Sequence, residues 1–416
     1  MDIDTLLAPF QHFGVNLGLE RIEHLLAALG APQEQIPIVH IGGTNGKGSV
    51  CAYVSSVLIA AGYKVGRYTS PHLVEWNERI CINGQPIATD RAIEVLQTTI
   101  AAIPPDRPIP TQFEVVTAAA WLYFAQEQVD IAVIEVGLGG RLDATNVCDR
   151  PLATAITSIS REHWQQLGDT VAKIAWEKAG ILKPKCPAII GTLPPDAAVV
   201  VRQRAEDLDC PTIWVEPAQL LDRNPSTPQP WAEAGGIQYP LSLLGEMQLT
   251  NSAIAIALLR VLRQAGWKIS DDAIVRGMGD TQWLGRIQWM TWKGHKLLID
   301  GAHNPAAAIA LRQYIDTLET PIGWVMGMLS TKEHEAIFRA LLRPGDRLDL
   351  VPVPDHSSAD IVALASLVRS ICPDVAAIEI HEDLSLGMDA AMSHTSTHQP
   401  VLCGSLYLLG YFLKSL

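Results

Sequence analysis

No Cys-x-x-C pair occurs in this chain of 416 residues, and its seven cysteines (Cys51, Cys81, Cys148, Cys186, Cys210, Cys372 and Cys403) are scattered and odd in number. That spacing excludes a zinc ribbon and disfavours a disulfide framework, so reduced thiols in a cytoplasmic protein are expected. No apolar run approaches the ~18 residues of a membrane span, and the opening Met-Asp-Ile-Asp-Thr carries no basic leader region. Membrane association is therefore not expected. Basic stripes are missing as well. With a formal net charge of −13, a general nucleic-acid or anionic-lipid surface is excluded, and any anion the protein binds must be met locally. Tandem repeats and low-complexity segments are also absent.

What is present is the composition of a soluble globular enzyme, 48% hydrophobic and 18% charged. The chain is too long for one ordinary core, so two domains are the default. One stretch stands out, Ile38-Val-His-Ile-Gly-Gly-Thr-Asn-Gly-Lys-Gly-Ser49. An apolar run, Ile36 to Ile41, breaks into glycines and is followed by a helical pattern from about Val50, which reads as strand, loop, helix. Gly43, Gly46 and Gly48 allow positive φ and let backbone N–H groups, including those of Thr44 and Asn45, close around phosphate oxygens at a helix N-terminus. Lys47 supplies a point charge for β- and γ-phosphates, and the Ser49 hydroxyl is placed to ligate Mg²⁺. A bare glycine-rich turn would be only a turn. The lysine, the serine and the strand–helix context together select the phosphate reading, although an extra glycine separates lysine from serine.

Three further strands follow in order: Lys64 to Thr69 ending at Ser70, Val129 to Ile134 ending at Glu135, and Ala153 to Ser158 leading to His163. Helical patterns over 50–61, 90–102 and 111–128 separate them, which argues for a parallel, doubly wound sheet. Ligands of such sheets sit beyond the carboxyl ends of the strands. A hydroxyl, a carboxylate and an imidazole gathered there beside a triphosphate make a magnesium shell, with histidine an unusual member. The bland readings differ by residue. A serine before proline is usually a turn former, and a lone histidine is usually a hydrogen-bonded structural residue. Glu135 is harder to dismiss, because burying a bare carboxylate is costly unless it is paired or metal-bound. The stretch Leu73 to Ile80 reads as a loop folded over a site, and Lys178 as a solvated or phosphate-facing cation at a helix end.

From 183 to 245 the pattern weakens to short strands at 187–191 and 211–215 and a loop at 222–230. An apolar helix then runs to Leu262. A boundary near 280–291, set here at 1–285 and 286–416, precedes a second and smaller α/β unit. Its strands are expected near 296–299, 322–326, 347–353, 376–380 and 400–403.

The string His-Ile-Gly-Gly-Thr-Asn-Gly-Lys-Gly-Ser (40–49) closely resembles the nucleotide loop of the Mur-ligase superfamily. Residues 63–80, 130–146 and 177–181 resemble its folate branch, the dihydrofolate synthase/folylpolyglutamate synthase family. Later matches are Leu-Gly-Glu-x-Gln-x-x-Asn (244–251), Gly-Arg (285–286), Asp-Gly-Ala-His-Asn-Pro (300–305) and Gly-Ser-Leu-Tyr (404–407). They fall in the family's order, densely over 38–181 and only at isolated motifs in the last third.

The resemblance implies a P-loop parallel-sheet domain followed by a Rossmann-like one. The implied reaction is an ATP- and Mg²⁺-dependent ligation of L-glutamate to dihydropteroate and to the γ-carboxylate of reduced folates, by way of an acyl phosphate. It implies metal ligation by Ser49, Ser70, Glu135 and His163, and nucleotide contacts from Asn251, Arg286 and Asp300, with closure of the domains part of catalysis. Glutamate falls to His303 and Ser405. Lys47, Lys178 and His303 are the expected catalytic set, with Lys178 carbamylated. The pterin is expected near Gly18, Leu19 and Glu20, near Gln112, Phe113, Glu114 and Val115, and near Leu142, Asp143 and Ala144. Phe113, by itself more often a core residue, could stack on the ring. Glu162 and Trp176 depart from an aspartate and an arginine common at those positions. Only small-molecule partners, a monomer and no nucleic acid are expected. A cell-wall Mur ligase would need a nucleotide-sugar domain ahead of the loop, where only about 40 residues stand. A non-catalytic ATP-binding module is the rival from another class.

Overall fold

The computed structural model describes residues 2–13, 16–221 and 229–416. Gly14, Val15 and most of the loop expected at 222–230 lie outside the described residues. The chain divides into one compact unit of Met1–Ser242 and Gln248–Gln282 and a second of Leu243–Met247 and Trp283–Leu416. The division thus falls slightly ahead of 285, and one short segment crosses over. Leu244 and Met247 are the reason, since both pack against the core of the second unit.

The first unit is built on a sheet of β1 (Ile38–Gly42), β2 (Val65–Tyr68), β3 (Ile80–Ile82), β4 (Gln85–Pro86), β5 (Ile131–Glu135), β6 (Ala153–Ile156), β7 (Ala188–Ile190) and β8 (Thr212–Trp214). Their order is β4-β3-β2-β5-β1-β6-β7-β8. β1 lies in the middle, with Ile41 beside Glu135 of β5 and Gly42 beside Ile156 of β6. Its near-continuous apolar run is what a parallel strand covered on both faces requires, and Ile38, Val39 and Ile41 are fully buried. One core cluster joins Ile38, Tyr68 and Ile134 to Leu25, Val95 and Trp121 from the helices Glu20–Ala28, Thr89–Ala101 and Gln112–Gln126. Another joins Ile156 and Ile190 to Ile174 and Val201 of the helices Val171–Ala179 and Pro195–Asp207.

β2 and β5–β8 run parallel to β1, as expected. The sheet is not wholly parallel, however, because β3 pairs antiparallel with β2, and β4 with β3. The loop expected at 73–80 contains a 3₁₀ turn, Trp76–Arg79, before it enters β3. A small antiparallel sheet, β9 (Gln219–Leu221), β10 (Trp231–Ala234) and β11 (Ile237–Pro240), was not expected from the sequence; its strands are short and only partly buried.

The second unit holds β12 (Gln288–Trp292), β13 (His295–Ile299), β14 (Ile322–Met326), β15 (Arg347–Leu350), β16 (Ala377–Ile380) and β17 (Gln399–Cys403), ordered β12-β13-β17-β14-β15-β16. All but β12 are parallel. β12, unforeseen, joins β13 through a two-residue turn in which Lys293 and Gly294 both have positive φ, the geometry that closes a tight hairpin.

Candidate active site

At the carboxyl end of β1 the chain turns through Gly43 and Gly46, with φ of 139° and 87°, into the helix Lys47–Ala60. The helix starts at Lys47, ahead of the expected Val50, so its N-terminal N–H groups belong to the loop itself. The loop is clamped by the residues that follow β6. Thr157 Oγ1 donates to the Asn45 carbonyl at 2.6 Å, Ser158 Oγ accepts from the Asn45 N–H at 3.0 Å, and the Thr44 N–H reaches the Ser158 carbonyl at 2.7 Å. Thr44 Oγ1 in turn accepts from the Ser160 N–H at 3.0 Å. A Cβ on Gly43 would lie 2.0 Å from Thr157 Oγ1, so only glycine lets this clamp close. These hydroxyl residues were not singled out from the sequence. Their signal was there: Thr157, Ser158 and Ser160 stand just past an apolar strand.

Two amines converge on this loop. Lys47 Nζ donates to the carbonyls of Gly43 and Thr44 at 3.2 and 3.0 Å, and Lys178 Nζ to that of Gly43 at 2.8 Å. Lys178 is buried, which overturns its reading as a solvated cation. Burial, together with the neighbouring Lys47 charge, brings its ammonium down to about 7, against the opposing pull of Glu162 and Asp143. Loss of the charge is what an apolar surround favours for a lysine. Ser49 is buried in the first turn of the helix, where Gln248 Nε2 approaches its hydroxyl at 3.4 Å. Asn251, on the same helix as Gln248, bonds Gln248 Oε1 at 3.0 Å and stands 2.3 Å from where a Cβ of Gly46 would be.

Glu135 ends β5, next to the loop, and is buried. Its carboxylate accepts from the Ser70 N–H at 3.2 Å, which brings the end of β2 to the same edge. His163 is exposed, with a positive φ of 50°, a few residues beyond the Ser160 clamp. Lys47 and Glu135 thus lie at one edge of the sheet, beyond the adjacent strands β1 and β5, and His163 lies farther along the segment that follows β6. The buried Glu135 carboxylate and the buried Ser49 hydroxyl are oxygen ligands of the kind a hard divalent cation takes.

The three stretches expected around the pterin also meet. The Gly18 N–H reaches the Leu142 carbonyl at 3.4 Å, Arg21 pairs with Glu114 at 2.9 Å, and Phe113 packs where Gly137 leaves room. Phe113 and Gln112 are part-exposed, and Gln112 Nε2 is a buried donor without a partner among the described residues. Val115 is fully buried in the core, and Asp143 spends its carboxylate on the Leu138 and Thr145 N–H groups at 2.7 and 3.0 Å. Burial pushes the Asp143 carboxyl up while these bonds hold it down. Both side chains are packed into the wall that the three stretches form. Glu114 likewise caps its own helix with Thr111 and pairs with Arg21.

In the second unit, Asp300 and His303 follow β13 and Ser405 follows the adjacent β17, with the Gly404 N–H on the Ala302 carbonyl at 3.1 Å. Asp300 is buried and accepts from the Ile287 and Ala302 N–H groups at 2.8 and 2.7 Å. Burial raises its carboxyl, opposed first by the Arg286 charge. His303 Nδ1 lies 2.7 Å from the Gly301 carbonyl, and Ser405 caps the helix Leu406–Lys414. A stacked pair, His356 on Tyr407 with ring centroids 3.8 Å apart, lies close by in sequence to Ser405 and was not foreseen.

Residues 285–415 match the family described as dihydrofolate synthetase, C-terminal domain. The chain is 34% identical to Saccharomyces cerevisiae dihydrofolate synthetase, over 96% of this chain and 98% of that protein. It is 32% identical to Bacillus subtilis dihydrofolate synthase/folylpolyglutamate synthase, over 97% and 96%. Mycobacterium tuberculosis folylpolyglutamate synthase, solved in complex with ADP and AMPPCP, superposes with a TM-score of 0.88 at 31% identity, covering 99% of this chain and 98% of that one.

Proposed function

This chain belongs to the dihydrofolate synthase/folylpolyglutamate synthase family, and from that premise we propose that it is an ATP-dependent ligase of L-glutamate with two acceptors. The acceptors are dihydropteroate, giving dihydrofolate, and the γ-carboxylate of reduced folates. The observation that supports this most is the pair of amines on the glycine loop. In a chain of net charge −13, Lys47 and Lys178 both reach the Gly43 carbonyl of the loop that opens the helix Lys47–Ala60, a local gathering of amines at a helix N-terminus where an anion is favoured.

In this reading the acceptor carboxylate attacks the γ-phosphorus of ATP, ADP leaves, and an acyl phosphate forms. The glutamate amine then attacks the acyl carbon, gives up a proton, and inorganic phosphate leaves as the amide closes. An amine cannot displace oxide from a bare carboxylate, so activation must come first. Phosphoryl transfer needs mainly positioning and charge neutralisation. The N–H groups from Gly46 to Ser49 are assigned to the β- and γ-phosphates, Thr44 and Asn45 shape the nucleotide loop through their bonds to Ser158, Lys47 carries charge to the phosphates, and Asn251 lines the loop. Ser49, Ser70, Glu135 and His163 would hold Mg²⁺, which when bound neutralises phosphate charge. Phe113, Gln112, Gly18 and Leu142 offer a wall for the pterin, and His303 and Ser405 belong to the glutamate side. Arg286 and Asp300 are assigned to the nucleotide.

Lys178 is assigned a further step. As a neutral amine it adds to carbon dioxide, one N–C bond forming and one proton leaving, which makes it a carbamate anion able to support a second cation. The domains are assigned accordingly, 1–285 to ATP and folate and 286–416 to glutamate ligation. The protein is also read as a cytoplasmic monomer without nucleic-acid partners; no helix among the described residues is long and apolar enough to cross a membrane, and sedimentation tests the monomer. The deciding assay gives the pure protein ATP, Mg²⁺ and glutamate with dihydropteroate or with a reduced folate, product being followed by mass. Both are expected to gain one glutamyl residue. Product from neither acceptor would end the ligase reading, and product from one alone would end its dual form.

A further inference from the structure

The stretch between Ser70 and β3 carries three side chains to which no role has yet been given. Arg79 Nε donates to His72 Nδ1 at 2.9 Å, and its guanidinium lies 4.1 Å above the centre of the Trp76 ring. His72 and Trp76 are themselves in contact, with ring centroids 4.7 Å apart. Trp76 is therefore the platform on which the other two rest. The backbone around them is fixed by Glu78, whose carboxylate accepts from the N–H groups of Leu73, Val74 and Glu75 at 2.7 to 2.8 Å. The platform has one directional tether. Its indole Nε1 donates to Asp4 Oδ1 at 2.9 Å, and Asp4 sits in the first turn of the helix Ile3–Leu7 at the start of the chain.

Below the indole the packing is incomplete. A cavity of about 20 Å³ is lined by Trp76 and Asn77 and otherwise by apolar side chains, among them Ile3, Leu7, Val95 and Val116. It is largely apolar, so it gains nothing from water, and it leaves the ring free to tilt if the bond at its edge is lost. The orientation of the ring, and with it the position of Arg79, then depends on Asp4. Arg79 matters because the Thr69 N–H bonds the Arg79 carbonyl at 3.0 Å and the next N–H, that of Ser70, bonds Glu135. The Arg79 backbone is thereby tied to the edge that carries Glu135, and its side chain to the indole.

We propose that Asp4 and Trp76 are positioning residues: the N-terminal helix is a strap that holds the loop of residues 70–79, and Arg79 within it, in the geometry that receives the anionic acceptor. The proposal rests on the ligase reading above. Neither residue touches the reacting atoms, so their effect belongs in acceptor affinity and not in nucleotide affinity.

The test is a double-mutant cycle in the full-length enzyme with Asp4→Ala, Trp76→Phe and the pair, KM being measured separately for acceptor, ATP and glutamate. Asp4→Ala is expected to raise the acceptor KM three- to tenfold while the ATP KM stays within twofold, as loss of one charge-assisted hydrogen bond in a part-exposed setting would. Asp4→Asn, which keeps an acceptor oxygen, is expected to restore most of it. Trp76→Phe removes the N–H and keeps a ring, and the pair is expected to be no worse than the worse single change, since both break the same bond. Equal rises in all three KM values, additive effects, or an unchanged acceptor KM would each overturn the strap. Arg79→Ala is the control for the underlying reading. If it leaves the acceptor KM unchanged, the assignment of the acceptor to this edge fails, and the proposal fails with it for a separate and identifiable reason.

Discussion

The two sheets of this molecule present their carboxyl edges in different electrostatic states. Beyond β1 two amines lie on the carbonyls of one loop, and one of them is buried. Beyond β13 the buried Asp300 takes two backbone N–H groups and has the Arg286 charge beside it. Deeper in the same unit Arg312 meets Asp346 at 2.9 Å, and Asp346 also accepts from the Ile322 N–H and the Trp324 indole at 3.0 Å. At the first edge burial and a second amine work against the charge of Lys178, with the buried Glu135 on the next strand, while in the second unit Arg312 and Asp346 are paired and Asp300 is met by N–H groups. A buried amine held against its ordinary charge state costs stability, so it points to a ligand. Matched charge points first to the fold.

That contrast can be broken in three places. Lys47→Ala should lower turnover about a thousandfold, the scale of losing a charge that stabilises transferring phosphate. Its melting temperature should stay within a few degrees, because its bonds are to loop carbonyls only. A drop of less than tenfold in steady-state phosphate release would remove Lys47 from the chemistry. Asp346→Ala should do the reverse. It leaves Arg312 with Asp316 alone as a carboxylate partner and strands three donors, the Ile322 and Arg343 N–H groups and the Trp324 indole, and should cost roughly 3 kcal/mol in chemical denaturation while ATP affinity is unchanged. A neutral effect on stability would show that the second unit is not held as described.

The third and smallest effect is a pH dependence. The folded pKa of Lys178, about 7, lies below the ~10.4 of an unfolded lysine. Between those values the unfolded chain binds a proton that the folded chain does not, so stability rises with pH across the window and is lost as pH falls through 7. Lys178→Met has no such titration. In carbonate-free buffer its melting temperature relative to wild type should therefore be highest near pH 6, by a few degrees, and decline toward pH 10. A constant difference would place the amine in a polar setting. The same variant should lose turnover.

The nucleotide loop was legible in the sequence because its glycines, lysine and serine are neighbours in the chain and their geometry is local. Glu135 was legible for a related reason, as an acid at the end of a run too apolar to be exposed. The clamp from Thr157 and Ser158 was not, since it acts across more than a hundred residues and depends on β6 lying beside β1. The burial of Lys178 was hidden too. A lysine one step from a helix end gives no sign of its depth, and what buries it is the loop after β5, where Gly140 would meet the Glu177 and Lys178 carbonyls if it bore a Cβ. The depth of Val115 was not legible either: it adjoins Phe113 in the chain, and its side chain lies in the core. The hairpin β12–β13 was lost where the pattern had been read as a boundary.

The central claim is that the edge beyond β1, β5 and β6 couples ATP cleavage to amide formation. Phosphate release from the pure protein tests it directly, with ATP and Mg²⁺ present throughout and the pteroate-type acid and glutamate added singly and together. The account predicts release only when both are present, at one phosphate per amide formed. Release that is just as fast with ATP alone, or ATP binding with no release under any combination, would contradict it.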